Sequence, residues 1–121
     1  MTTLDMSVCG GLALALEEER MDRYFKLAQA RVKPDAEALR GLAEAQSIWA
    51  TYADAECKAV SRGFEGGSIQ GVMTVGCRTV LTRERSHTIW ANHLQYMDST
   101  PPPVPEPLVT VAKERAQAKA N

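Results

Sequence analysis

Cys57 and Cys77 stand twenty residues apart, Asp54 and Glu56 lie just ahead of the first, and His87 and His93 follow the second. Residues of these types could form a thiol nucleophile with acid–base partners, a metal site or a disulfide. A thiol triad requires the carboxylates and the cysteine to converge, yet helix residues two positions apart do not face each other. Pairing of the cysteines would also consume the nucleophile. His87 and His93, six apart, are separated by about 240° around a helix, which excludes the one-face pair of an i, i+4 zinc site. Glu65-Gly66-Gly67-Ser68 lacks the Gly-x4-Gly-Lys pattern that cradles phosphate. The expectation is a scaffold, with no enzyme activity, no metal and no cofactor.

The elements that must position these residues are helical. A first block runs from about Leu4 to Ala30, with Cys9, Leu12, Leu16, Tyr24 and Ala28 as its stripe and Met21 and Phe25 on the flank. It ends near Pro34, which disfavours helical geometry in the residue before it and suits a first helical turn, so the second block begins there. Leu39, Leu42, Gln46, Trp49, Ala53, Glu56 or Cys57, and Val60 follow the three–four spacing of one buried face. Gly63, Gly66 and Gly67 then break the pattern, and with Ser68 they suit a helix end, a turn and a new N-cap. A third block spans about Ser68 to Met97, with Ile69, Met73, Gly76 or Cys77, Val80, Glu84, Ile89 and Leu94 near the same period. Gly71 and Gly76 weaken it by about 1 kcal/mol each against alanine, unless they mark close helix approach. Five prolines between Pro101 and Pro107 form an extended strip, and Leu108 to Asn121 is either a short frayed helix or disorder. The fold expected is all-α: a small three-helix domain over 1–98 and a proline-rich tail over 99–121.

The whole-chain numbers bound the partners. The 121 residues are 45% hydrophobic and 24% charged, enough for one small domain with a modest core. A net charge of -1 argues against nucleic acid or anionic membrane held by bulk charge. No apolar run approaches the roughly 20 residues of a bilayer span, and Gly10–Leu16 is followed at once by Glu17, Glu18 and Glu19. These glutamates and Arg20 are expected as a solvated helix face, and Trp49, Trp90 and Tyr96 as core or core-rim residues. Met6-Ser7-Val8-Cys9 is not a lipoprotein cleavage site, because Met1–Val8 carries Asp5 and no Lys or Arg.

If the second and third blocks form an antiparallel hairpin about the glycine turn, Cys57 and Cys77 come to comparable heights. A bridge is then sterically allowed; two buried free thiols are the alternative. Trp49 falls level with Arg85, and Tyr52 with Thr82. Gln46, Trp49, Thr82 and Arg85 are therefore expected as a polar cluster locking the hairpin, with Arg85 over the indole and Gln46 accepting from the guanidinium.

The spacing Gln46-x2-Trp49-x2-Tyr52-x-Asp54-x-Glu56-Cys57, the Gly66-Gly67-Ser68 turn, and Cys77-x3-Leu81-Thr82-x2-Arg85 together resemble the lysozyme inhibitor LprI family of small secreted bacterial proteins. The resemblance covers about the middle third of the chain. It implies an exported, helical, disulfide-bonded protein, periplasmic or secreted, whose export signal lies outside this chain. Ala53 stands where the family often has arginine, and only Cys9 represents the family's additional N-terminal cysteine pair.

Two functions follow as expectations. In the first, the protein occludes a lysozyme cleft with the turn Phe64, Glu65, Gly66, Gly67 and Ser68: glycines allow close approach, Phe64 is the apolar anchor, and Glu65 meets basic groups at the cleft rim. In the second, it is a non-inhibitory cell-envelope interaction or stress-related scaffold whose partner is another envelope protein, with the proline strip as a docking or spacing element.

Overall fold

A computed structural model describes residues 2–108, and its architecture is three long helices: α1 (Thr3–Val32), α2 (Ala36–Arg62) and α3 (Gln70–His93). Among the described residues there is no strand. Asp35 starts α2 by accepting hydrogen bonds from the backbone N–H of Glu37 and Ala38, both at 3.1 Å. Pro34 therefore lies in the α1–α2 turn rather than inside the first turn of α2. At the start of α1, Thr2 and Asp5 form a reciprocal capping box. Short turns reverse the chain twice, so α1 and α3 run parallel and both oppose α2. Contacts between Gly10 and Val75, Glu17 and Arg83, and Arg31 and His93 mark the α1–α3 register.

Helix α3 is the central element, packing along α1 and against α2, whereas α1 and α2 touch little. The hydrophobic core lies at one end of the bundle: Met21, Tyr24 and Ala28 of α1, Leu42 of α2, and Ile89, Trp90 and Leu94 at the end of α3, with Trp49 and Val104 packed against them. Towards the α2–α3 turn the buried apolar residues are Ala53 and Cys57 only, and there Cys57 is bonded to Cys77 with Cα atoms 5.6 Å apart. The bridge takes the place of a core at the thin end.

The α2 stripe packs inward, with Cys57 rather than Glu56 turned to the core. Three features differ from expectation. In α1 the inward face carries Gly10, Glu17, Met21, Tyr24 and Ala28, while Cys9, Leu12 and Leu16 are exposed. Apolar residues occupy both sides of the first four turns, so periodicity alone had two solutions. In α3, Val80 and Glu84 are exposed and Thr82 and Ser86 are buried. A helix packed on two sides needs small residues at its contact face, and Ser86 meets its own polar requirement by donating to the Thr82 carbonyl at 3.2 Å. The third difference concerns the turn: Ile69, not Ser68, precedes α3, and it supplies no side-chain cap. The close helix approach falls at Gly10, where a Cβ would stand 3.4 Å from Val75; Gly71 and Gly76 have no such neighbour within 4 Å.

Glu17 corrects the reading of the acidic run. It is only 6% exposed, with Oε1 3.4 Å from Arg83 Nε and Oε2 3.6 Å from Arg20 Nη1. Glu18 and Glu19 do face solvent.

The proline strip folds back over the core end. Trp90 Nε1 donates to the Val104 carbonyl at 2.9 Å, the Tyr24 hydroxyl donates to the Pro105 carbonyl at 2.6 Å, and His87 Nε2 lies 2.7 Å from Glu106. Pro107 is buried. Arg31 closes the same end, donating to the His93 and Gln95 carbonyls at 2.8 and 2.7 Å and lying over the Tyr96 ring. The expectation of a frayed helix or disorder falls almost entirely on residues 109–121, outside the described residues.

Candidate functional site

The α2–α3 hairpin positions the candidate site at its tip. Arg62 ends α2, and successive tight hydrogen bonds carry the chain round: Phe64 N–H to Ser61 O at 3.0 Å, Gly67 N–H to Phe64 O at 3.0 Å, and Gln70 N–H to Gly67 O at 3.2 Å. Gly66 sits at φ 82°, a conformation that side-chain-bearing residues rarely adopt. Its glycine is therefore required by the turn. At the base, Gln70 Nε2 reaches back across the hairpin to Ser61 Oγ at 2.9 Å and Ser61 O at 3.3 Å. Phe64, Glu65, Gly66, Gly67 and Ser68 are all exposed, and Phe64 presents 36% of its surface to solvent. The result is a short, internally hydrogen-bonded projection fixed by a polar clamp and by the disulfide below it.

Further down the hairpin, Arg85 Nε donates to Gln46 Oε1 at 2.8 Å, and Gln46 Nε2 donates to Met21 Sδ at 3.5 Å. Thr82 is buried nearby in sequence on α3, and Trp49 packs against the core cluster. The expected cation–π pair of Arg85 with Trp49 does not form: the cation–π contacts among the described residues join Arg23 to Tyr24 and Arg31 to Tyr96. The bond to Gln46, one turn before Trp49, directs the Arg85 guanidinium elsewhere. Asp54 is exposed and bridges Arg78 at 2.9 Å and Lys58 at 3.7 Å. Tyr52 and Glu56 also face solvent, so the motif residues divide between the hairpin interface and the outer side of α2.

Neither histidine joins a metal cluster; among the described residues no group of three metal-ligating side chains converges. With Cys57 Sγ bonded to Cys77, the drawing of a thiol triad with Asp54 and Glu56 has no nucleophile. No described helix is long and apolar enough to cross a membrane.

His93 instead couples the core end to pH. Burial lowers its pKa first, and Arg85 and Arg31 lower it further; burial also lowers that of Arg85. The unfolded chain takes up a proton near the ordinary histidine value of about 6.5, while the folded chain resists it. The contribution of His93 is thus complete above pH ~6.5 and is lost as pH falls from there through its lowered folded value. Urea midpoints measured between pH 7.5 and 5.5 are expected to fall more steeply for the native chain than for His93→Gln. Equal slopes would show that His93 does not carry the effect.

Sequence reasoning missed the Ser61–Gln70 clamp, the Asp35 cap and the Asp54–Arg78 bridge. The cap had a visible signal, an Asp directly after the Pro that ends α1. The other two pairs depend on the hairpin register and become visible only when the two helices are aligned through Cys57 and Cys77.

A family model described as Lysozyme inhibitor LprI matches residues 1–88. The chain is also 24% identical over 97 residues to an uncharacterized protein of Rhizobium meliloti (strain 1021), an alignment covering 71% of this chain and 70% of that protein. No solved structure matches.

Proposed function

Since the chain belongs to the lysozyme inhibitor LprI family, we propose that it is a lysozyme-binding protein of the periplasm or extracellular space that occludes the enzyme's cleft with the turn Phe64–Ser68. The observation that carries this reading is the construction of the turn. A projection intended for a narrow cleft must be thin, exposed and already ordered, because ordering it on binding would subtract from affinity. Gly66 and Gly67 keep it thin, and the Ser61–Gln70 clamp and the bridge keep it ordered. Phe64 offers apolar surface, and Glu65 offers a negative charge to basic groups at the cleft rim. The disulfide supports the location, since such bonds persist in oxidising compartments.

The test is lysozyme turnover on cell-wall substrate against increasing oxidised protein, with Phe64→Ala/Glu65→Ala beside it. Both side chains are exposed, so the variant is expected to keep its melting temperature. Its inhibition constant is expected to rise by roughly tenfold or more, the usual size of an interface hot spot. Unchanged inhibition by the variant would remove the turn from the interface. No inhibition by the native protein would favour the second reading, a non-inhibitory envelope interaction protein, which draws support from the exposed apolar side of α1.

A further inference from the structure

The strip that closes the core end is held as a bound peptide is held. From Pro101 to Pro107 five of the seven residues are proline, and among the described residues no backbone hydrogen bond forms within 101–108, as in a polyproline strand. Its contacts go instead to a groove between α1 and α3 walled by three aromatic side chains. Tyr24 and Trp90 are only 2 and 8% exposed, yet each directs its polar hydrogen out to the strip, Trp90 to the Val104 carbonyl and Tyr24 to the next one, of Pro105. His87, whose ring lies 5.9 Å from that of Trp90, meets the Glu106 carboxylate, and Pro107 is buried. Aromatic walls are the means by which folded domains read proline-rich segments. Here the two donors grip main-chain carbonyls, which any such segment supplies, while the acid and the buried proline select its sequence.

We propose that Tyr24, His87 and Trp90 form a receptor for an extended proline-rich segment of a partner protein, one with an acidic residue followed by proline, and that Val104–Pro107 is a strap occupying the receptor until that segment takes its place. Two observations carry the exchange. The strap hangs on residues 95–103, all exposed and outside any helix, so it can lift without unwinding α1 or α3. It also underfills its seat: an open cleft of about 370 Å3 remains between the strap and α1, walled on the α1 side by Arg20, Arg23 and Tyr24. Both arginines are already engaged, Arg20 by Glu17 and Arg23 by Glu19 and the Tyr24 ring. The cleft therefore offers aliphatic stems and an aromatic ring to an apolar side chain rather than a free charge. A partner segment with a larger apolar residue where Pro105 borders the cleft gains contacts that the strap does not make. The strip of a second copy would repeat the contacts already present and forgo the local concentration that the tether supplies. The groove lies at the opposite end of the bundle from the turn Phe64–Ser68, and the strip lies beyond the residues 1–88 that the family model matches, so this proposal is independent of lysozyme binding.

Fluorescence anisotropy of a labelled peptide, a glutamate between two runs of four prolines, tests it against the native full chain and the full chain carrying Val104→Asp/Pro107→Asp. That variant lifts the strap, because the closed form would place one charge against the core and bury the other; unchanged helicity shows that it is folded. It should bind the peptide saturably. The native chain should bind roughly tenfold or more weakly, since its strap holds the groove. In the lifted variant, Tyr24→Phe removes one donor and keeps the ring, and should weaken binding by roughly fivefold. Lysine in place of the peptide's glutamate should weaken binding, and leucine in place of the proline before it should strengthen binding. No saturable binding to the folded variant, equal binding by the native chain, indifference to Tyr24→Phe or to the lysine, or no gain from the leucine would each overturn the proposal. A native dimer that Val104→Asp/Pro107→Asp abolishes would make the strip of a second copy the occupant and overturn it as well.

Discussion

Removing the bridge with Cys57→Ser/Cys77→Ser is expected to destabilise the fold by about 3 kcal/mol, the chain-entropy value for a closed loop of 20 residues. For a domain of this size that corresponds to a fall in melting temperature of roughly 10 to 20 °C. The loss should also be local in origin. Met21, Tyr24, Ala28, Leu42, Ile89, Trp90 and Leu94 hold the far end of the bundle, whereas near the turn the buried apolar residues are Ala53 and Cys57. With the bridge gone, the Arg78–Asp54 and Gln70–Ser61 contacts are left to hold α2 and α3 together there. The first of these is exposed, and such a pair contributes at most about 1 kcal/mol. Hydrogen exchange should therefore accelerate at the end of α2 and the start of α3 well before it does around Ile89. Urea titration of the oxidised protein and the double variant measures the total, and exchange measures its distribution. A change below about 1 kcal/mol, or a uniform rise in exchange, would mean that the thin end is held by something other than the bridge. The same variant bears on function, because a loosened turn must be ordered again on binding.

How much of this was legible before the structure depends on how many neighbours each helix has. Helix α2 packs on one side, so Leu39, Leu42, Trp49, Ala53, Cys57 and Val60 spell out its buried face in the sequence. Helix α3 packs on two sides, and Thr82 and Ser86, the residues that let both neighbours approach, are polar; an apolar stripe drawn through Val80 and Glu84 follows the wrong line. In α1 the ridge Leu4–Leu16 competes with the face that packs on α3, and nothing local distinguishes them. The turn announces itself through Gly63, Gly66 and Gly67, and the two cysteines set a register from which the Arg85–Gln46 hydrogen bond follows. The Arg31 closure over the end of α3 and the Tyr24–Pro105 contact of the folded-back strip join residues more than sixty positions apart. Such contacts depend on the relative placement of α1 and α3, which periodicity does not encode.

The buried carboxylate of Glu17 leads to the second large effect. On sequence it belongs to a solvated run, yet its position on α1 is one turn from Met21 on the face against α3, and it is nearly excluded from solvent. Arg83 Nε and Arg20 Nη1 lie on its two oxygens at 3.4 and 3.6 Å, and the Arg83 side chain is itself only 20% exposed. Truncating Glu17 to alanine removes the negative charge from between two guanidinium groups and leaves a space between α1 and α3. Breaking one side of a fully buried pair costs about 3 to 5 kcal/mol; the partial exposure of both arginines reduces this to roughly 2 to 3 kcal/mol. Replacing both Glu17 and Arg83 by methionine should cost less than truncating Glu17 alone, because matched apolar groups then fill the site and the remaining charge, on Arg20, is the more exposed of the two and can turn to solvent. Urea midpoints of Glu17→Ala, Arg83→Met and the double methionine variant test this, and the single losses should change little with added salt, since a pair shielded from water is weakly screened. A loss below about 0.5 kcal/mol for Glu17→Ala, or one abolished by salt, would place Glu17 among the ordinary surface charges that the sequence alone suggested. The expected result instead makes it the polar lock between α1 and α3, holding the middle of the bundle between the core at one end and the disulfide at the other.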